Sequence, residues 1–143
     1  MNATAAAPVV LGTAKITVRA LLPRVFEALV TSGDVKLWWS PEAYIEPQVG
    51  GRYETNPPEG RQEGAIVTLD APWRLTFTWT IVEDSSSIET TVTYDLEAKG
   101  EETVVQVIHR ATSLLAKDWN ATWRRALESL QAFLEAGQGT KGP

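Results

Sequence analysis

The stretch SLLAKDWNATWRRALESLQAFLEA, Ser113 to Ala136, decides the fold. Its larger apolar side chains, Leu114, Leu115, Trp119, Trp123, Leu127, Leu130, Phe133 and Leu134, recur mostly three or four residues apart. Lys117, Asp118, Arg124, Arg125, Glu128 and Glu135 take much of the remaining circumference. That spacing predicts a long amphipathic helix with one face to bury. Nothing else in the chain has that length and period, and the segments before it read as strands. A sheet with one apolar face needs a cover, and this helix is the element that supplies it.

Bulk properties set the limits. A chain of 143 residues fits one domain with a core of its own. Hydrophobic residues at 43% and charged residues at 22% exclude global disorder. The net charge of -5, without a dense Lys/Arg patch, gives no electrostatic basis for nucleic-acid binding. The absence of cysteine removes disulfides, thiolate metal sites and cysteine nucleophiles. No run approaches the roughly 18 apolar residues of a membrane span. Residues 1–12 lack a basic start and read as a loose leader, with Val9 to Leu11 able to join the first strand. A cytoplasmic location is the expectation.

Outward from the helix, alternation dominates. Ile16 and Val18 alternate with Lys15, Thr17 and Arg19 as a strand. Pro23 suits the first turn of a helix reaching about Thr31, and a further helical turn covers Val35 to Trp38. Short strands at Ala43–Glu46 and Gly51–Thr55 are punctuated by turns at Pro47–Gly50 and Pro57–Gly60. Longer ones follow at Arg61–Leu69, Trp73–Ile81, Ile88–Glu97 and Thr103–Arg110, with Leu75, Phe77 and Trp79 sharing one face. Lys99-Gly100-Glu101 reads as a hairpin turn. The order predicts an α+β fold: a strongly bent antiparallel sheet wrapped around the long C-terminal helix, with two short helices after the first strand. The domain is expected over 13–136, and the glycines at 137 and 139 open a frayed tail, 137–143.

Several pieces together carry a resemblance: Pro23-Arg24-Val25-Phe26-Glu27-Ala28-Leu29, Leu37-Trp38-Trp39, Gly50-Gly51-Arg52-Tyr53, the Gly64 strand, Ala71-Pro72-Trp73-Arg74-Leu75-Thr76-Phe77-Thr78-Trp79, and Trp123 with Leu127, Leu130 and Leu134. In order and spacing the chain resembles the START-like, birch-pollen-allergen-like superfamily. Within it, the chain is similar to the family named after the C-terminal domain of the activator of the heat-shock chaperone ATPase. The resemblance implies a helix-grip fold with an elongated cavity between sheet and helix. Family members bind lipids, hormones, polyketides or other apolar molecules, and related branches are cyclases or hydrolases. The co-chaperone role goes with members that carry an additional N-terminal domain, and is not carried over here. A glycine usual before the last-helix tryptophan is Thr122 in this chain, which bears on how closely helix and sheet meet.

Candidate ligand-binding residues are aromatic or polar side chains placed to line such a cavity: Trp38, Trp39, Arg52, Glu54, Phe77, Trp79, His109, Trp119 and Trp123. The indole combines a large apolar ring with one donor, which suits a pocket that orients a polar group, and equally suits core packing. His109, the single histidine, shares a face with Val105 and Val107. It is either a ligand or proton contact, or a core histidine satisfied by its neighbours. Arg52 and Glu54 flank Tyr53 and are either cavity groups or an exposed pair, and Glu89 is expected in solvent opposite Ile88, Thr90 and Val92. No nucleophile elbow, phosphate loop, dinucleotide fingerprint or HExxH is present, and no cofactor or metal is called for. Ser113 is read as a cap and Asp118 as a solvated residue. The expected function is binding of a small apolar or aromatic ligand. The alternatives are a homodimeric or chaperone-linked interaction domain, and a cyclase- or hydrolase-like enzyme using His109 with a carboxylate.

Overall fold

The computed structural model describes residues 9–58, 60–83, 86–112 and 118–139. The chain runs β1 (Val9–Val18), α1 (Leu22–Val30), α2 (Ser32–Trp38), β2 (Ala43–Ile45), β3 (Arg52–Thr55), β4 (Gln62–Asp70), β5 (Arg74–Glu83), β6 (Ser86–Lys99), β7 (Glu102–Ala111) and α3 (Trp119–Gly139). The strands form one antiparallel sheet in the order β1-β7-β6-β5-β4-β3-β2, with β1 and β2 at its edges. This is the α+β helix-grip arrangement: sheet against the C-terminal helix, two short helices after the first strand.

Alternation sets the inward face. Leu75, Phe77 and Trp79 of β5, Val92 and Tyr94 of β6, and Val105, Val107 and His109 of β7 are buried, in register across the sheet. From α3 they receive Trp119, Trp123, Leu127, Leu130 and Leu134, at the helical spacing the sequence predicts. Ser113, Leu114, Leu115 and Lys117, Glu59 of the second turn, residues 1–8 and the tail beyond 139 lie outside the described residues.

Several boundaries differ from expectation, among them that of α2, which begins at Ser32, and both ends of α3. β1 begins at Val9, so Val9 to Leu11 do join the first strand, with a bulge between Val10 and Gly12 interrupting its alternation. α3 continues through the glycines at 137 and 139. At its start the cap is Asp118, whose Oδ1 accepts from Ala121 N at 3.0 Å. Thr122 is buried and its hydroxyl donates to the Asp118 carbonyl at 3.3 Å. The close approach of helix to sheet lies one turn earlier, at Gly12. A Cβ there would stand 2.5 Å from Trp119 Cβ and 2.6 Å from its carbonyl carbon.

The two short helices are tied in by side-chain donors. Trp38 Nε1 donates to the Ala28 carbonyl at 2.9 Å, joining α2 to α1, and Ser129 Oγ of α3 donates to the Trp38 carbonyl at 2.6 Å. Tyr53 Oη donates to the Leu29 carbonyl at 2.6 Å, pinning α1 over β3. At the far edge, Gln62 donates to the carbonyls of both Tyr53 (2.6 Å) and Thr78 (3.0 Å). Its own side-chain oxygen accepts from Thr55 Oγ1 at 2.9 Å, so every polar atom of this buried amide is used.

Candidate functional site

Five of the nine candidate residues meet in one cluster. Trp79 lies parallel to the His109 ring at a centroid distance of 5.3 Å, while Trp119 and Trp123 meet that ring edge-on at 4.7 and 5.6 Å. Trp39 contacts Trp79 at 6.0 Å and Trp123 at 5.9 Å, and Trp38 stacks on Trp39 at 5.8 Å. Trp38 thus joins the cluster from outside. Phe77 belongs to a second group, stacked on Tyr53 at 3.9 Å. Between β5–β7 and the first turns of α3, therefore, the rings pack on one another in offset and edge-to-face pairs.

His109 is fully buried at the centre of that cluster. Trp123 Nε1 donates to its Nδ1 at 3.1 Å, which places the ring proton on Nε2. Nε2 lies 2.7 Å from Thr90 Oγ1, and that hydroxyl donates in turn to the Trp79 carbonyl at 2.7 Å. The chain Trp123–His109–Thr90–Trp79 is a relay in which each donor finds an acceptor. Burial pulls the His109 pKa down to about 3, so the imidazole is neutral at physiological pH. Its two nitrogens face an indole and a hydroxyl, not the carboxylate that acid–base catalysis through His109 calls for.

Arg52 and Glu54 stand elsewhere. Tyr53 takes the inner face of β3 and is fully buried, which turns its neighbours outward. Arg52 is exposed with its guanidinium 5.5 Å over the Tyr44 ring, and Glu54 lines a small surface dimple beside Glu42 and Arg61. Neither joins the aromatic cluster. Glu89 is exposed, as expected.

The open apolar space lies on the other flank of the sheet. A groove of about 440 Å³ runs between α1 and the turn joining β4 to β5. Pro23, Phe26 and Val30 form one wall, Leu69, Ala71 and Pro72 the other, with Pro47 at one end and Glu27 as the charged group on its lining. Its size falls within the range of small-molecule sites, roughly 300–1,000 Å³. A larger cleft of about 620 Å³ at the start of α1 is lined by Ala20 and Leu21 together with four charged residues, Arg19, Arg24, Glu101 and Glu102. Its Arg24 is already bound to Asp34 at 2.7 Å and Glu27 at 3.1 Å. None of the groove residues stands among the nine candidates. The signals that mark them are prolines, one in the first turn of α1 and two in connections between strands, ordinarily read as punctuation.

Among the described residues no group of three or more His, Asp or Glu is placed to hold a metal ion, and no helix is long and apolar enough to cross a membrane.

A family model described as Activator of Hsp90 ATPase homolog 1-like protein matches residues 19–135, from the end of β1 through most of α3. The chain belongs to this family. No curated protein matches the chain. Solved structures repeat the Hsp90-activator-like fold. The Aha1 dimer from Colwellia psychrerythraea is 21% identical with a TM-score of 0.74, over 92% of this chain and 98% of that one. The Mll3558 protein from Rhizobium loti is 19% identical with a TM-score of 0.75, over 92% of this chain and all of that one. CalU16 from Micromonospora echinospora is 22% identical with a TM-score of 0.70, over 89% and 77%. At these identities the likeness is one of fold. Membership of the Hsp90-activator-like family, the helix-grip architecture and the extensive aromatic packing together support a site for a ligand or a partner.

Proposed function

We propose that the protein binds a small, neutral, apolar or aromatic molecule that enters through the groove between α1 and the β4–β5 turn. The observation that carries this reading is the lining of that groove, with seven apolar residues around about 440 Å³ and Glu27 at its rim. Burial of a ligand there is driven by roughly 25 cal/mol for each Å² of apolar surface removed from water, less the cost of ordering the ligand. The carboxylate of Glu27 disfavours anionic ligands. The aromatic cluster around His109 serves as the rigid floor on which the rest of the sheet is held, and the relay takes up the polar atoms that a ligand would otherwise use there. The test is a titration of the purified protein with a neutral probe such as N-phenyl-1-naphthylamine, with native mass spectrometry of the freshly isolated chain. Binding lost in Glu27→Trp, a rim substitution that places a ring over the groove, supports the reading. Absence of probe binding and of any copurified mass rules it out.

A second reading, self-association, is favoured by the surface of α2 and β2. Leu37 is 71% exposed on α2, and Tyr44 is 48% exposed on the neighbouring edge strand β2. An edge strand beside exposed apolar side chains suits a two-fold interface, and the relative from Colwellia psychrerythraea is a dimer. Sedimentation equilibrium of the wild type and of Leu37→Glu tests it: a dimer converted to monomer by the substitution supports this interface, and a wild-type monomer throughout excludes it.

A further inference from the structure

We propose that α3 guards the outer edge of β1: Asn120, Gln131 and Glu135 occupy the backbone positions through which β1 would otherwise take on a strand from a second copy of this chain. The guard is independent of the groove and of the α2–β2 surface, and it holds the sheet at its seven strands.

β1 is the longer of the two edge strands, ten residues against three in β2, and it pairs on one side only, with β7. A long edge with open amides and carbonyls is a template for another strand. In an antiparallel ladder the backbone groups of alternate residues point away from the paired neighbour. Thr13, Lys15, Thr17 and, just past the strand, Arg19 are that outward set. Asn120 Oδ1 accepts from Thr13 N at 2.8 Å, Gln131 Nε2 donates to the Thr17 carbonyl at 2.9 Å, and Glu135 Oε2 accepts from Arg19 N at 2.8 Å. Each side chain matches its backbone group in kind, an acceptor for each amide and a donor for the carbonyl. An added strand would make the same bonds with its own backbone.

Helix and strand are matched in length for this task. At 1.5 Å per residue, Asn120 to Glu135 covers about 22 Å of α3, and at about 3.4 Å per residue Thr13 to Arg19 covers about 20 Å of extended chain. With about 3.6 residues per turn, the three helix positions fall within about 60° of one another, a single stripe along the edge. Between the caps lies Lys15, which is exposed, and among the described residues no side chain of α3 reaches its backbone. A charged side chain in mid-edge is itself a feature that discourages strand addition. Lys15 is also the only charge in Val9–Val18, so two β1 strands can pair antiparallel about any centre other than Lys15 without setting like charges opposite each other. A second copy therefore offers a compatible strand, and the α3 caps are what exclude it.

The experiment compares the full-length wild type with Asn120→Ala/Gln131→Ala/Glu135→Ala by sedimentation velocity over one concentration series, and by amide hydrogen exchange resolved by residue. The wild type should show slowed exchange at Thr13 and Arg19 and fast exchange at Lys15. In the triple variant the species should be larger than the wild type at equal concentration, and within it the Lys15 amide should become protected by about five-fold or more, the value of one ordinary hydrogen bond. Adding Lys15→Pro, which removes an outward donor without touching the β7 ladder, should return the wild-type size. Arg125→Ala/Glu128→Ala, at exposed positions elsewhere on α3, should leave the size unchanged. The single variants Asn120→Ala and Gln131→Ala are read in the same way and carry the test if the triple variant does not fold. A cap-deficient variant that keeps the wild-type size throughout the series overturns the guard. So does a larger species in which Lys15 exchanges as fast as in the wild type, or one formed equally by the Arg125/Glu128 control.

Discussion

Trp123 on the last helix donates its indole N–H to Nδ1 of His109 on the last strand, and so settles which ring nitrogen carries the proton. Because the other nitrogen must then donate, Thr90 has to accept from it while giving its own hydrogen to the Trp79 carbonyl. Helix and three central strands are joined by one directional chain.

Acid should expose this arrangement. The His109 pKa is about 3 in the folded protein, against about 6.5 in an unfolded chain. Above pH 6.5 both states are neutral and His109 has no effect on the pH dependence. Below it the unfolded chain takes up a proton that the folded one refuses, so stability falls with pH, by as much as about 1.4 kcal/mol per unit and about 3 kcal/mol by pH 4. Urea unfolding at pH 7 and pH 4, for the wild type and His109→Gln, measures the difference. Identical pH dependence in the two proteins would remove His109 as its source.

Thr90→Val keeps the shape of the side chain and removes both of its hydrogen bonds. Nε2 of His109 and the Trp79 carbonyl then lack their partner, and the expected loss is about 1–3 kcal/mol. Trp123→Phe should cost at least as much, through the lost ring volume and the unpaired Nδ1. Since both substitutions break one relay, the double variant should lose less than the sum of the two, as a double-mutant cycle by chemical denaturation will register.

Glycine substitutions distinguish contact from convenience. Gly12→Ala drives a methyl into the backbone of α3 at Trp119, and Gly64→Ala drives one into the Thr78 carbonyl. Each should destabilise by about 2 kcal/mol or more. Gly33 lies within α2 with no atom within 4 Å of its absent Cβ, so Gly33→Ala should be neutral or stabilising by up to about 1 kcal/mol. Thermal melts of the three variants test the ranking.

Gln62→Glu replaces an amide that donates to two carbonyls with a carboxylate that repels them. The variant should lose about 3 kcal/mol at pH 7 and recover part of it in acid, where the new side chain is protonated. A variant as stable as wild type at neutral pH would show that the clamp contributes little.

Much of this fold is legible because period and burial coincide. Leu75, Phe77 and Trp79 alternate with threonines, and Val105, Val107 and His109 alternate with polar or less buried residues, so their inward direction follows from the sequence. The start of the last helix is less legible. Leu114 and Leu115 continue its period in the sequence, while the structure places the cap at Asp118. At β1 the bulge before Gly12 breaks the alternation that would announce a strand from Val9. The site is hardest of all to read. Its walls come from Pro23 to Val30, Pro47, and Leu69 to Pro72, three segments with no shared local pattern, brought together only by tertiary packing. Nothing in the text of the chain distinguishes Tyr53, whose hydroxyl is satisfied, from Tyr94, whose hydroxyl meets no partner among the described residues.

The fit of Gly12 beneath Trp119 has a consequence for how the chain reaches its native state. Around it, Thr13 N donates to Asn120 Oδ1, Gln131 Nε2 to the Thr17 carbonyl, and Arg19 N to Glu135 Oε2, across separations of 107, 114 and 116 residues. The first strand is thus completed by the last helix. Closing loops of that length is entropically costly before any contact repays it, which makes such topologies slow to fold. During synthesis from the N-terminus, β1 waits until β7 and α3 have been made, and the sheet keeps an unfinished face until α3 arrives to close it.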